Sequence, residues 1–246
     1  MTKKSAQQMG MYVDGHNIST DVGALNQIGS PRKTMEVPNI DKTAMERLMT
    51  QSDAFVDFQS WFDDGTELGH NALSVLPTGN VVALVALGNA IGDVCAMIRG
   101  KQANYDGSRN QDGSLELQTQ VHGDGVALEW GEMLTALVDT FSSASSASSK
   151  DDAASSASGL AAVLEIIDID SGTPTVVLED SPNDSTWATL ISFTAVASGS
   201  EPASERKTVS GTVDRYLRLT TTGTFTNLDI AFGYRRGEST DDEAYS

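Results

Sequence analysis

Asp112-Gly113-Ser114-Leu115-Glu116-Leu117-Gln118-Thr119-Gln120-Val121 is the stretch that decides the fold class. Asp-Gly supplies the left-handed backbone that a tight hairpin needs. The residues after it alternate, so Leu115, Leu117, Thr119 and Val121 share one face of a strand. A half-buried antiparallel strand follows, and the neighbouring sequence repeats the theme.

Upstream, Val81 to Leu87 is a short apolar run bounded by turn residues, which favours a buried strand over a helix. Ala54 to Phe62 is a strand, apolar at Phe55, Val56, Phe58, Trp61 and Phe62, and closed by Asp63-Asp64-Gly65. Met11-Tyr12-Val13 is a strand entering the turn Asp14-Gly15. Two short helices are expected. Asp41 can cap one starting at Lys42, with Ala44, Met45, Leu48 and Met49 on one face. Thr66 to Leu76 carries Leu68, Ala72, Leu73 and Leu76 at helical spacing, ended by Pro77 and Gly79. Asn17 to Ile40, with Gly23, Gly29, Pro31 and Pro38, is long and irregular for a core element. It is expected to reach a neighbouring subunit and to order on assembly, as are residues 1–10. Deleting residues 20–37 is then expected to leave a folded monomer that no longer polymerises.

Downstream, Phe141 to Gly159 is Ser/Ala-rich with almost nothing to bury, and reads as a linker or a loosely held strand lead-in. Past it come strand-like runs at Val163–Ile169, Thr175–Leu178, Trp187–Phe193, Lys207–Val213, Tyr216–Thr221 and Phe225–Tyr234, with polar turns such as Ser181-Pro182-Asn183-Asp184. Closely spaced short strands indicate a β-sandwich. The fold expectation is mainly β: an N-terminal β-sandwich or barrel with one or two short helices, plus a C-terminal Ig-like or jelly-roll sandwich. The expected division is 1–141, a linker at 142–159, an outer sandwich at 160–236, and a frayed acidic tail at 237–246.

The 246 residues carry 16 Lys+Arg against 34 Asp+Glu, a formal charge of −18. Residues 1–141 hold 9 basic and 18 acidic side chains, and residues 142–246 hold 7 and 16, so each part is −9. That balance argues against a nucleic-acid reader and against an anionic membrane surface as partner. Solubility, an acidic channel wall or a repeated polymer surface would each account for it. No apolar stretch is long enough to span a bilayer, and a soluble cytosolic product is expected.

Little in the chain points to catalysis. The single cysteine, Cys95, lies in the apolar run Ile91–Ile98 and reads as a buried structural thiol. His16, His70 and His122 lack metal-site spacing, and His16 and His122 lie beside glycine in expected turns. Asp63-Asp64 and Asp151-Asp152 read as solvated loop acids, and Asp168 and Asp170 as the solvent face of a strand end. Gly123-Asp124-Gly125 lacks the lysine and helix of a phosphate loop. No catalytic, metal or cofactor residue is assigned, and no enzymatic activity is expected.

Three groups of residues in order carry a resemblance: Asp41–Leu48 with Phe55-Val56-Asp57-Phe58 and Trp61-Phe62-Asp63; Leu87–Gly92 with Gly100–Arg109 and Asp112–Leu115; and Leu128-Glu129-Trp130-Gly131-Glu132-Met133-Leu134-Thr135. Over roughly residues 10–136 this set resembles the major tail proteins of long, non-contractile bacteriophages, those of actinobacterial hosts above all. Asp180–Trp187, Gly211–Leu219 and Gly223–Thr226 resemble a sandwich domain often appended to them. The resemblance implies a structural virion protein. Hexameric rings would stack into a tail tube around a lumen that conducts genomic DNA during ejection, without sequence-specific binding. It implies further contacts with the tape measure inside, with the tail terminator and tail tip at the ends, and with host-surface glycans through the outer domain. Six copies at −18 make a ring of −108, which would repel duplex DNA carrying roughly one charge per ~1.7 Å. Two other readings stand beside it: a carbohydrate-binding or adhesion module using Trp187, Tyr216 and Tyr234, and a capsid decoration protein.

Overall fold

The computed structural model describes residues 8–38, 40–65 and 69–237. The expected frayed tail beyond Gly237, most of the 1–10 segment and the first turn of the helix expected at Thr66 lie outside these residues.

The first part contains β1 (Gly10–Val13), β2 (His16–Asn17), β3 (Val22–Gly29), β4 (Arg32–Val37), β5 (Glu46–Ser52), β6 (Phe55–Trp61), α1 (Gly69–Leu73), β7 (Val81–Ala86), β8 (Val94–Arg109), β9 (Leu115–Gly123), β10 (Glu129–Met133) and β11 (Asp139–Phe141). The second contains β12 (Lys150–Asp151), β13 (Leu160–Gly172), β14 (Thr175–Ser181), β15 (Ala188–Ser192), β16 (Ala203–Val209), β17 (Tyr216–Thr222) and β18 (Phe225–Arg236). The fold is mainly β. Asp14 and Gly15 both take positive φ between β1 and β2, the backbone of a two-residue hairpin.

One sheet runs through both parts in the order β16-β13-β18-β10-β8-β7-β1-β2. The long strand β8 pairs with β7 and β10 along its first half and with β9 along its second. Its bend falls near Gly100, where a Cβ would stand 1.9 Å from the His122 carbonyl oxygen, so only glycine lets the backbones approach. Beyond the bend, β9, β6 and β3 fold back over β7 and β8. Val56, Phe58 and Val121 of that layer join Val85, Ala96 and Ile98 in one buried core. A second core lies between β13/β18 and the four-stranded sheet β12-β17-β14-β15, filled by Leu164, Ile166, Leu178, Leu219, Ile230 and Phe232. Each such fully buried side chain stabilises the fold by roughly 1.5–3 kcal/mol relative to exposure. On the reverse face of the long sheet, Tyr12, Leu84, Cys95, Met97 and Val163 form a third cluster spanning both parts.

Three expectations are corrected. The helix expected at Lys42 is strand β5, hydrogen-bonded to β4. Asn17 to Ile40 is not irregular. It supplies β3 and β4, and Val22, Leu25 and Ile28 of β3 pack on the first core. Deleting residues 20–37 would therefore damage that core as well as the projecting part. The 142–159 stretch, expected as a linker or a loosely held strand lead-in, supplies β12 and is tied into the second sandwich. The Ala147 amide donates to Leu219, the Thr221 amide to Ser145, and Ser156 exchanges bonds with Val213. Ser and Ala can do this because main-chain bonds need no side-chain payload. The expected helix at Thr66–Leu76 survives as the single turn α1. Its first amide is capped from a distance by Asp21 Oδ2 at 2.7 Å.

Candidate assembly surface

Among the described residues, strands β4 and β5 pair only with each other. They prolong the β3–β6 hairpin past the point where the Asp53 amide bonds the Pro31 carbonyl at 2.9 Å. Six residues of strand reach about 20 Å beyond the body. Nearly every side chain on this ribbon is exposed, including Met35 at 54%, Leu48 at 49% and Met49 at 68%. The register places Met35 opposite Leu48 and Val37 opposite Glu46 on one face, and Thr34–Met49 and Glu36–Arg47 on the other. Arg47 and Glu36 also form an ion pair at 3.2 Å. A lone two-stranded ribbon is marginally stable in water, so one that exposes three large apolar side chains is built to be covered.

Two more apolar patches stand on the body. Trp61, Phe62 and Leu115 are exposed where β6 ends and β9 begins, with Trp61 on the Glu116 face of the sheet and the Phe62 amide bonded to the Leu115 carbonyl. The Trp61 indole lies over Gly23, where a Cβ would meet Nε1 at 2.6 Å. The Phe62 ring packs at a tilt against His70, and His70 likewise against Tyr105, whose hydroxyl stands 3.1 Å from Nδ1. Burial pushes the Tyr105 hydroxyl up to about 12, so it stays protonated. The second patch holds Ile91, Val94 and Trp130, each 45–49% exposed.

Beside it sits a polar cluster. Lys150 Nζ bonds the Glu132 carboxylate at 2.6 Å, Asp152, and the Tyr234 hydroxyl at 2.8 Å. Arg236 Nε adds a bond to Asp152 at 2.6 Å. Burial raises the Asp152 carboxyl, but the bonds from Lys150, Arg236 and Tyr234 outweigh it and hold it below the usual range. This cluster pins the Ser/Ala stretch to β18.

The acids singled out in the sequence divide accordingly. Asp151 is exposed and pairs bidentately with Arg215, which lowers its carboxyl to about 2. Asp152, expected as a solvated loop acid, is instead the hub of the part-buried network. Asp63 accepts from the Gly65 amide in an open loop, and Asp168 and Asp170 do face solvent. His122 and His16 lie in strands rather than turns. Cys95 is fully buried, with its thiol pushed up to about 12 by burial. Among the described residues, no three His, Cys, Asp or Glu side chains converge as a metal site, and no helix is long and apolar enough to cross a membrane.

The aromatic trio separates too. Tyr234 is 3% exposed and belongs to the second core. Trp187 and Tyr216 are half-buried on the four-stranded sheet, under the guanidinium groups of Arg218 at 4.1 Å and Arg215 at 5.0 Å. In each ring one guanidinium stands over the aromatic face in a cation–π contact.

No protein-family model matches the chain, and no curated protein matches it. Among solved structures it is similar to the SPP1 Dit (gp 19.1) protein, described as a paradigm of hub adsorption apparatus in phages infecting Gram-positive hosts. That likeness has TM-score 0.34 and 7% identity, covering 94% of this chain and 100% of that one. It is also similar to a chain of the phage p2 baseplate in its activated conformation with Sr, at TM-score 0.34 and 9% identity, over 97% of this chain and 99% of that one. A third likeness, to an infectious bursal disease virus Gx strain structure, has TM-score 0.19 and 9% identity, over 98% of this chain and 71% of that one. All three scores lie below the level that marks a shared fold.

Proposed function

We propose that this chain is a structural component of a bacteriophage tail, and specifically the tube subunit that polymerises through its projecting ribbon. The observation that carries the reading is the β4–β5 ribbon, whose side chains are nearly all exposed among the described residues. Its apolar side chains call for cover from another molecule. A ribbon docking on a different surface of the next copy is a heterologous contact, which generates rings or open filaments. Stacked hexameric rings around a DNA-conducting lumen satisfy both. The family-like order of residues 41–48, 55–63, 87–115 and 128–135 supports the same reading, and the charge of −18 suits a wall that DNA must pass without sticking. Tape-measure, terminator and tail-tip proteins are the partners such a tube requires.

The test is polymerisation with and without the ribbon. Replacing residues 32–52 by a two-residue Asn-Gly turn keeps β3 and β6 and removes only the projecting part. The full chain should give hollow tubes in negative-stain microscopy, and the shortened chain a folded monomer. Normal tubes from the shortened chain, or a full chain that stays monomeric at every concentration, would overturn the proposal.

A further inference from the structure

One face of the long sheet carries two separate cores with a bare strip between them. Cross-strand partners share a face, so pairing fixes the row Met11–Val85–Ala96–Trp130 and the row Val94–Glu132–Tyr234–Ala162 on one side. Met11, Val85 and Ala96 belong to the first core, and Tyr234 and Ala162 to the second. Each core is roofed by its own layer. Val94, Trp130 and the Glu132 side chain stay about half exposed between the two cores. Ile91 edges the strip, in the turn whose Gly92 and Asp93 bond Met133. Lys150 forms the far wall and closes over Gly92.

We infer that this strip is the seat of the β4–β5 ribbon of a second copy of the chain, an inference that rests on the tail-tube reading above. One face of the ribbon groups Met35, Leu48 and Val37 beside Glu46, and the floor offers Trp130, Val94 and Ile91 as apolar counterparts. Charge agrees. Residues 31–52 carry four basic and three acidic side chains, +1, leaving −19 for the rest of a chain at −18. Arg32 and Lys33 make no side-chain ion pair or hydrogen bond among the described residues. The strip's rim carries the Glu132 carboxylate, which bonds Lys150 at 2.6 Å within the chain while its side chain stays 48% exposed. A near-neutral ribbon with spare cations is therefore the part of this acidic molecule least repelled by another copy. An aromatic floor with a charged rim is also the usual make-up of an energetic contact centre.

The experiment is disulfide trapping in the full chain. Leu48→Cys and Trp130→Cys are combined in one protein, and Cys95 stays inert because it is buried. Mild oxidation of the assembled double variant should give a ladder of covalent dimers, trimers and longer species, absent from either single variant. Separately, Trp130→Arg should raise the concentration for half-assembly at least tenfold, with an unchanged unfolding midpoint, and Trp130→Phe should restore it. If assembly needs the ribbon but Trp130→Arg assembles normally and no ladder forms, the seat lies elsewhere and only this inference falls. If the full chain never assembles, both readings fall together.

Discussion

Arg206 holds the buried carboxylate of Glu129 through two bonds, Nε–Oε2 at 2.9 Å and Nη2–Oε1 at 2.6 Å, and so clamps β16 of the second part to β10 of the first. Glu129 is 1% exposed and the Arg206 side chain 9%. The pair sits on the reverse face of the sheet from the Trp130 strip, because Glu129 pairs with Met97 and Trp130 with Ala96. Arg206→Ala would strand an ionised carboxylate in that interior. The expected cost is about 3–5 kcal/mol in denaturant unfolding. The double variant Glu129→Leu, Arg206→Met should recover most of it, since the loss comes from the unpaired charge rather than from the missing contact.

Glu165 makes the opposite kind of prediction. Its side chain is fully buried on β13, where Oε2 accepts the Gly15 amide at 2.7 Å and Oε1 has no partner among the described residues. Burial above all, with Asp14 nearby, raises its carboxyl well above the ordinary value. The folded state therefore keeps a proton that the unfolded chain releases above about 4.3, and stability falls as pH rises from there toward the folded value. Glu165→Gln keeps an acceptor for Gly15 and removes the titration. The variant should gain about 1–3 kcal/mol at neutral pH, with no gain at pH 3.5. Equal gains at both pH values would refute the assignment.

The sequence showed most of the body and little of the assembly surface, for reasons visible in single residues. Val81–Ala86 and Leu115–Gly123 could be recognised as strands because burial on one or both faces phases their side chains. Ala44, Met45, Leu48 and Met49 fit helical spacing equally well, and nothing in the chain forces the choice because the ribbon has no core to face. Ser142–Gly159 looked empty because much of what holds it is main-chain bonding, and because the partners of Lys150, Asp151 and Asp152 lie far away in sequence. The Trp130 strip needs the register of four strands before it exists, and local periodicity carries no register.

Cys95 is a probe of the same interior. It lies in the cluster that joins the two parts, close enough to Gly233 that a Cβ there would stand 2.9 Å from Sγ. With full burial and a thiol pushed up to about 12, it should not react with an aromatic disulfide reagent in the native protein at pH 8. One thiol per chain should appear on unfolding, at a rate set by the opening of this sheet. Rapid native labelling would mean that the sheet is not continuous through β10 and β18. Gly233→Ala should speed labelling by crowding Cys95 and Leu84.

Asp152 and Lys150 set the pH limits of the second sandwich. The folded Asp152 carboxyl lies below its unfolded value, so its stabilisation is complete above about 4 and is lost as pH falls through the folded value. Lys150 moves the other way. Burial lowers its ammonium, but bonds to Asp152 and Glu132 outweigh that and raise it. Its contribution is complete below the unfolded value near 10.4 and lost as pH climbs through the folded one. Asp152→Asn removes the charge that Lys150 and Arg236 share, with both of those side chains about 15% exposed. Unfolding at pH 7 should show a loss of about 3 kcal/mol. The loss should shrink toward pH 2, where the wild-type carboxylate is itself protonated. Because the network ties residues 150–152 to β18, limited proteolysis of the variant should cut first within 142–159. Protection there equal to wild type would mean that main-chain bonds alone hold the stretch.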